Sequence, residues 1–152
     1  MNKSIKHLFL LAMVLPLLFA GCNDWFNKGD TQKTYDGPDT VGFKPLQSEI
    51  DEGTSQTLEV QFISSKGNAQ SDIQVQFSID GSSTADPNYY SVSSSPVTIS
   101  SGSVKATVTV QTSDDPNLNA GDEATLILTI DSADGAQVGE KLKSSTIYIK
   151  GT

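Results

Sequence analysis

Residues 73–79 read Ile-Gln-Val-Gln-Phe-Ser-Ile, with an apolar side chain at every second position and a polar one between. Successive side chains of a strand point to opposite faces, so this repeat buries one face and wets the other. On a helix the same four apolar residues would scatter around the axis. The period continues outward in both directions. Leu58, Val60 and Phe62 alternate with Glu59 and Gln61, and Val97 and Ile99 form a short run. Val104, Ala106, Val108 and Val110 alternate with Lys105, Thr107, Thr109 and Gln111. Ala124, Leu126, Leu128 and Ile130 follow, and Ile147 and Ile149 close the set with Tyr148 outward. A first strand from Val41 to Ile50 is broken by Pro45, which has no N–H for a ladder. Seven short strands and no helical period predict an all-β fold, a seven-stranded two-sheet Greek-key sandwich of immunoglobulin-like type. The chain has one Cys, so the Cys-Trp-Cys signature of antibody domains is missing and that relationship is excluded.

Upstream of the strands the chain reads differently. Lys3 and Lys6 precede an apolar run from Leu8 to Phe19, shorter than the ~20 residues a helix needs to cross a bilayer. This is the pattern of an export signal. It ends in Leu18-Phe19-Ala20-Gly21-Cys22, which resembles the lipobox of bacterial lipoproteins. The resemblance implies cleavage after residue 21 and lipidation of Cys22. A lone Cys in an exported chain has no internal disulfide partner, and acylation accounts for it. A multiply acylated cysteine holds a protein on a membrane surface, since each buried methylene contributes about 0.8 kcal/mol. Residues 1–21 are thus read as the signal peptide, 22–40 as the lipidated Cys and a flexible polar tether, and 41–152 as the sandwich. Trp25 and Phe26, just beyond the lipid site, are either a headgroup contact or incidental residues of the arm.

Charge narrows the function. The 152 residues carry a formal charge of −8. Without residues 1–21 the chain keeps eight Lys against all 18 acids, a charge of −10, and no His, Met or Arg. Such a surface repels a polyanion, so no nucleic-acid role is expected. With no His, a nucleophilic triad has no base, and no glycine motif precedes a helix that could cradle phosphate. No enzyme is expected.

The order of the strands maps the acids. If successive connections alternate between the two ends of the sandwich, Asp51, Glu52, Asp80, Asp86, Asp114, Asp115, Asp122 and Glu123 collect at one end, with Lys150 as the base nearest to them. The other end carries Asp72, Asp131, Asp134 and Glu140 together with Lys66, Lys141 and Lys143, nearly in balance. Two readings of the acidic end stand side by side: a solvated rim, or carboxylates that hold a hard cation, for which Ca²⁺ with six to eight oxygen ligands is the natural candidate. The first strand starts at the balanced end. The tether therefore joins there, and the acidic tip points away from the membrane.

The same loops carry a family resemblance. Asp51-Glu52-Gly53, the crossover from Ser83-Thr84-Ala85 to Tyr90, Ile99-Ser100-Ser101-Gly102-Ser103 before the Val104–Val110 strand, Asp114-Asp115, and Asp122-Glu123 before Leu126-Ile127-Leu128-Thr129 resemble a Calx-beta domain over about residues 41 to 150. That resemblance implies an immunoglobulin-like sandwich with calcium at one tip in several members. Carried across, it makes Glu52, Asp114, Asp115 and Glu123 ligand candidates. Asn88 stands where the family usually has an acid, and the chain ends at Gly151-Thr152 without the family's closing acidic run, which implies at best a partial site.

Two triplets, Asp39-Thr40-Val41 and Asp131-Ser132-Ala133, resemble the acceptor of a bacterial O-glycosylation system and mark Thr40 and Ser132. Tyr89 and Tyr90 offer rings on which a sugar could stack, against the plainer reading of one ring in the loop and one on the surface. The expectation is a non-enzymatic module, anchored by lipid in the cell envelope at the outer membrane or cell surface, that binds or scaffolds. Its partner would be an envelope protein or a glycan, with no required cofactor other than the Ca²⁺ of the alternative reading. That alternative is a Calx-beta-like calcium domain, and a further one is a carbohydrate-contacting accessory lipoprotein of an outer-membrane uptake system.

Overall fold

The computed structural model describes residues 35–152; the signal peptide, Cys22, Trp25 and Phe26 lie outside the described residues. The elements in chain order are β1 (Thr40–Lys44), β2 (Gln47–Asp51), β3 (Ser55–Ile63), β4 (Ile73–Ile79), β5 (Tyr90–Val92), β6 (Val97–Ile99), β7 (Lys105–Thr112), β8 (Glu123–Ala133), β9 (Gln137–Val138) and β10 (Ser144–Lys150). There is no helix among the described residues. The Ile-Gln-Val-Gln-Phe-Ser-Ile repeat is β4, with Ile73, Val75 and Phe77 buried and Gln74, Gln76 and Ser78 exposed. One sheet runs in the order β5-β7-β3-β1-β9 and the other β2-β10-β8-β4-β6. Their inner faces supply the core, in which Leu58, Val60, Val75, Val108, Leu126, Leu128 and Ile147 are fully buried. Phe43 of one sheet meets Phe77 of the other edge-on, with ring centroids 6.3 Å apart.

The sandwich has ten strands where seven were expected, for three local reasons. The first strand is two: β1 pairs antiparallel with β3, and after Pro45 the chain switches sheets so that β2 pairs parallel with β10. The switch is tied down by Ser145, fully buried, whose hydroxyl donates to Pro45 O at 2.8 Å, and by Thr146 N–H donating to Leu46 O at 2.9 Å. The other two additions, β5 and β9, span three and two residues, too few for an alternation to register.

Three side chains depart from their expected places. Val104 precedes β7 and is 46% exposed, although its carbonyl still accepts from Phe62 N–H at 2.8 Å. Ile79, at the last position of β4, is 44% exposed. Both sit at strand ends, where the opposite sheet no longer covers them. Asp131 is not in a connection: it lies in β8. Phe77 faces Ile130 but Gln76 faces Ser132, so Asp131 is the extra residue of a β-bulge. There it accepts from Ser78 Oγ at 2.9 Å on the outer face.

Candidate functional site: the acidic tip

Three connections and the end of β10 meet at one end of the sandwich. Lys150 faces Asp51 on one side and Glu123 on the other, Asp80 N–H donates to Ile127 O, and Thr84 and Ala85 N–H donate to Thr125 O. The β4–β5, β2–β3 and β7–β8 loops therefore share the tip, as the alternation of connections predicts. Residue 40 sits at the far end, beside Ile63 and Gln137. There Asp39 accepts from Ser64 Oγ at 2.6 Å and lies 3.9 Å from Lys66 Nζ.

The β2–β3 turn is built around Glu52 and Gly53. Gly53 takes a left-handed conformation, φ 68°, which a side chain would strain. The turn folds Glu52 inward until it is 8% exposed, and its Oε1 accepts the Asp115 N–H at 2.7 Å. Asp114 comes over the turn: a Cβ on Gly53 would lie 3.1 Å from its Oδ1. Thr112, 5% exposed, fastens the turn to the end of β7. Its hydroxyl is shared between Asp51 O at 2.9 Å and Thr54 O at 3.0 Å, and it accepts the Thr54 N–H at 3.2 Å.

Asp80, Asp86, Asp115 and Asp122 close their own loops, the local hydrogen-bonded turns such residues favour. Asp80 Oδ1 accepts from Ser82 Oγ at 2.6 Å and Ser82 N–H at 2.9 Å, and these two bonds hold its carboxyl below the usual range. Asp86 Oδ1 accepts from Asn88 N–H at 2.9 Å and Nδ2 at 2.8 Å. Asp115 Oδ1 takes the same two donors from Asn117, and Asp122 Oδ2 takes them from Asn119. Glu123 instead meets Lys150, whose Nζ is 2.6 Å from its Oε2 and 3.7 Å from Glu49 Oε1. The hydrogen bond to Glu123 raises the Lys150 pKa against the opposing effect of burial.

Of the four calcium-ligand candidates, Glu52, Asp114 and Asp115 line one open concavity of about 420 Å³ with Asn119, while Glu123 is held by Lys150. Among the described residues, no three His, Cys, Asp or Glu side chains are grouped to hold a metal ion. Tyr89 and Tyr90 are both half-buried. They line a crevice with Glu52, Leu118 and Ile149 whose free space is about 10 Å³, at the lower limit for one water. Burial, and then the charge of Asp86, push the Tyr90 hydroxyl pKa upward. Thr40 is half-buried, and its hydroxyl donates to Pro38 O at 2.8 Å and lies 3.0 Å from Tyr35 Oη. Ser132 is exposed.

Sequence reasoning passed over Thr112 and Ser145. Both were signalled, because each extends the inward phase of an apolar alternation, Thr112 after Ala106, Val108 and Val110, and Ser145 before Ile147 and Ile149.

No family model matches the sequence, and no curated protein sequence is similar to it. Solved structures share the fold. The apo-form Calx CBD1 domain superposes with a TM-score of 0.62 at 10% identity, over 76% of this chain and 99% of that one. The calcium binding domain CBD12 of CALX1.1 gives 0.60 at 11% identity, over 73% of this chain and 45% of that one. EndoBT-3987 of Bacteroides thetaiotamicron with Man5GlcNAc product gives 0.55 at 11% identity, over 70% of this chain and 28% of that one. The chain is thus a β-sandwich of the Calx-beta type in fold.

Proposed function

We propose that this chain is a non-enzymatic binding or scaffolding module of the cell envelope, held at the outer membrane or cell surface by lipid on Cys22. The observation that supports it most is directional. β1 begins at the end of the sandwich remote from Glu52, Asp114 and Asp115, so a chain tethered through its N-terminal side leaves the three tip loops free for contact. Those loops are closed by internal hydrogen bonds, and a preorganised surface loses less entropy on binding. Replacement of Cys22 by Ser should abolish incorporation of labelled palmitate and move the protein from the membrane to the soluble fraction. Unchanged membrane residence would refute the anchor, and turnover of any substrate would refute the rest.

A second reading, a carbohydrate-contacting accessory protein, draws on the recurrence of this sandwich within a longer chain solved with an oligosaccharide product. Its contact would use the tip surface or the open concavity of about 220 Å³ that Tyr90 lines with Asn88, Ser91 and Gln111, since the crevice between Tyr89 and Tyr90 has room for no more than one water. Binding on a glycan array that is lost on changing the tip loops would favour it. Calcium at the tip has as its support the calcium binding domain among the neighbours in fold. The donor arrangement does not fit it: Glu123 is paired with Lys150, Asp86, Asp115 and Asp122 each accept two N–H groups within their own loops, and among the described residues no three acidic side chains are grouped to hold an ion. The module is therefore proposed in its metal-free form.

A further inference from the structure

We infer that Lys150 serves as the built-in cation of the tip, so that the loops are organised without a bound metal. Lys150 ends β10, the strand between β2 and β8, and its register places Asp51 directly on one side and Glu123 on the other. Its ammonium lies 2.6 Å from Glu123 Oε2 and 3.7 Å from Glu49 Oε1. One positive charge on β10 thus stands between acids contributed by the two flanking strands, Glu49 and Asp51 of β2 and Glu123 of β8, where like charges set across a sheet would otherwise repel.

The neighbouring loops need no cation either. Asp86, Asp115 and Asp122 each accept two N–H groups from a single Asn, which are Asn88, Asn117 and Asn119. Glu52 spends one oxygen on the Asp115 N–H. A calcium ion asks for six to eight oxygens, and among the described residues no three acidic side chains are grouped to begin such a shell. The inference does not depend on the lipid anchor.

Thermal melting of the purified full chain tests it, in chelator, in millimolar CaCl₂, and in MgCl₂ at matched ionic strength. The natural chain should melt at one temperature in all three. Lys150→Met should lower the midpoint by about 2–5 °C and should gain a rise in calcium that magnesium does not reproduce, because its acids are left without a counter-charge. Lys150→Arg keeps the charge and should melt as the natural chain does, still blind to calcium. It also serves as the informative variant if Lys150→Met does not fold, in which case a calcium response in Lys150→Arg overturns the inference. A calcium-specific rise in the natural chain would overturn it. So would a Lys150→Met variant that is as stable as the natural chain or equally blind to calcium.

Discussion

Thr112→Val removes a hydroxyl while keeping the shape of a side chain that is 5% exposed. Three bonds go with it, but their losses differ. Asp51 O still receives Thr54 Oγ1 at 2.6 Å, and Thr54 O still receives Thr112 N–H at 2.9 Å. The Thr54 N–H, which donated to the lost hydroxyl at 3.2 Å, has no replacement within the protein. An orphaned buried donor costs about 1–3 kcal/mol; since Thr54 is exposed, water recovers part of this and the lower half of the range applies. A loss of ~1–2 kcal/mol in a domain of this size lowers the melting midpoint by about 4–10 °C. Far-UV circular dichroism during thermal and urea unfolding reads it, with an unchanged m-value expected because the surface exposed on unfolding is the same. Thr112→Ser keeps the hydroxyl and should recover most of the stability. A valine variant as stable as the natural chain, or a serine variant as damaged as the valine, would refute the reasoning that the hydroxyl fastens the β2–β3 turn.

Other outcomes follow from the same contacts. Gly42→Ala drives a Cβ into Leu142 Cβ, which lies directly over β1, and should cost ~1–3 kcal/mol of overpacking in a urea titration; an unchanged midpoint would show that the β9–β10 connection yields without cost. The pH profile should be flat in the neutral range and fall at both extremes. Glu59, lowered first by its bond to Lys105, and Asp80 have folded pKa values below their ordinary 4.5 and 3.8, so their contribution is complete above those values and is lost as pH falls through the lowered ones. Lys150 is raised above 10.5, so its contribution is complete below that value and is lost as pH climbs through the raised one. Melting midpoints across pH read both limbs, and a midpoint that rises on acidification below pH ~4 would contradict the acid limb.

How far the sequence reveals this molecule depends on how local each cause is. The strands β4, β7, β8 and β10 are legible because each is long enough to show its period and has one buried face. Pro45 announces a break, but that the two halves join different sheets depends on partners at Ser145 and Thr146 about a hundred residues away. The bulge at Asp131 is equally hidden, since it arises from the register between β4 and β8. At the tip, the alternation of connections suffices to gather the acids. Their use is not visible in their order: whether an aspartate caps its own loop, as Asp86 does with Asn88, or stands open depends on the path of the loop. Lys150 was conspicuous as the base nearest that end, yet only the register of β10 between β2 and β8 shows which acids it answers.

The sandwich can do its proposed work only where its N-terminal side holds it, so the mass of the N-terminal peptide of the protein isolated from native membranes is the most direct test. The expected peptide begins at Cys22 and carries acyl groups on it. An intact residue 1–21 segment joined to a Cys22 with a free thiol would contradict it.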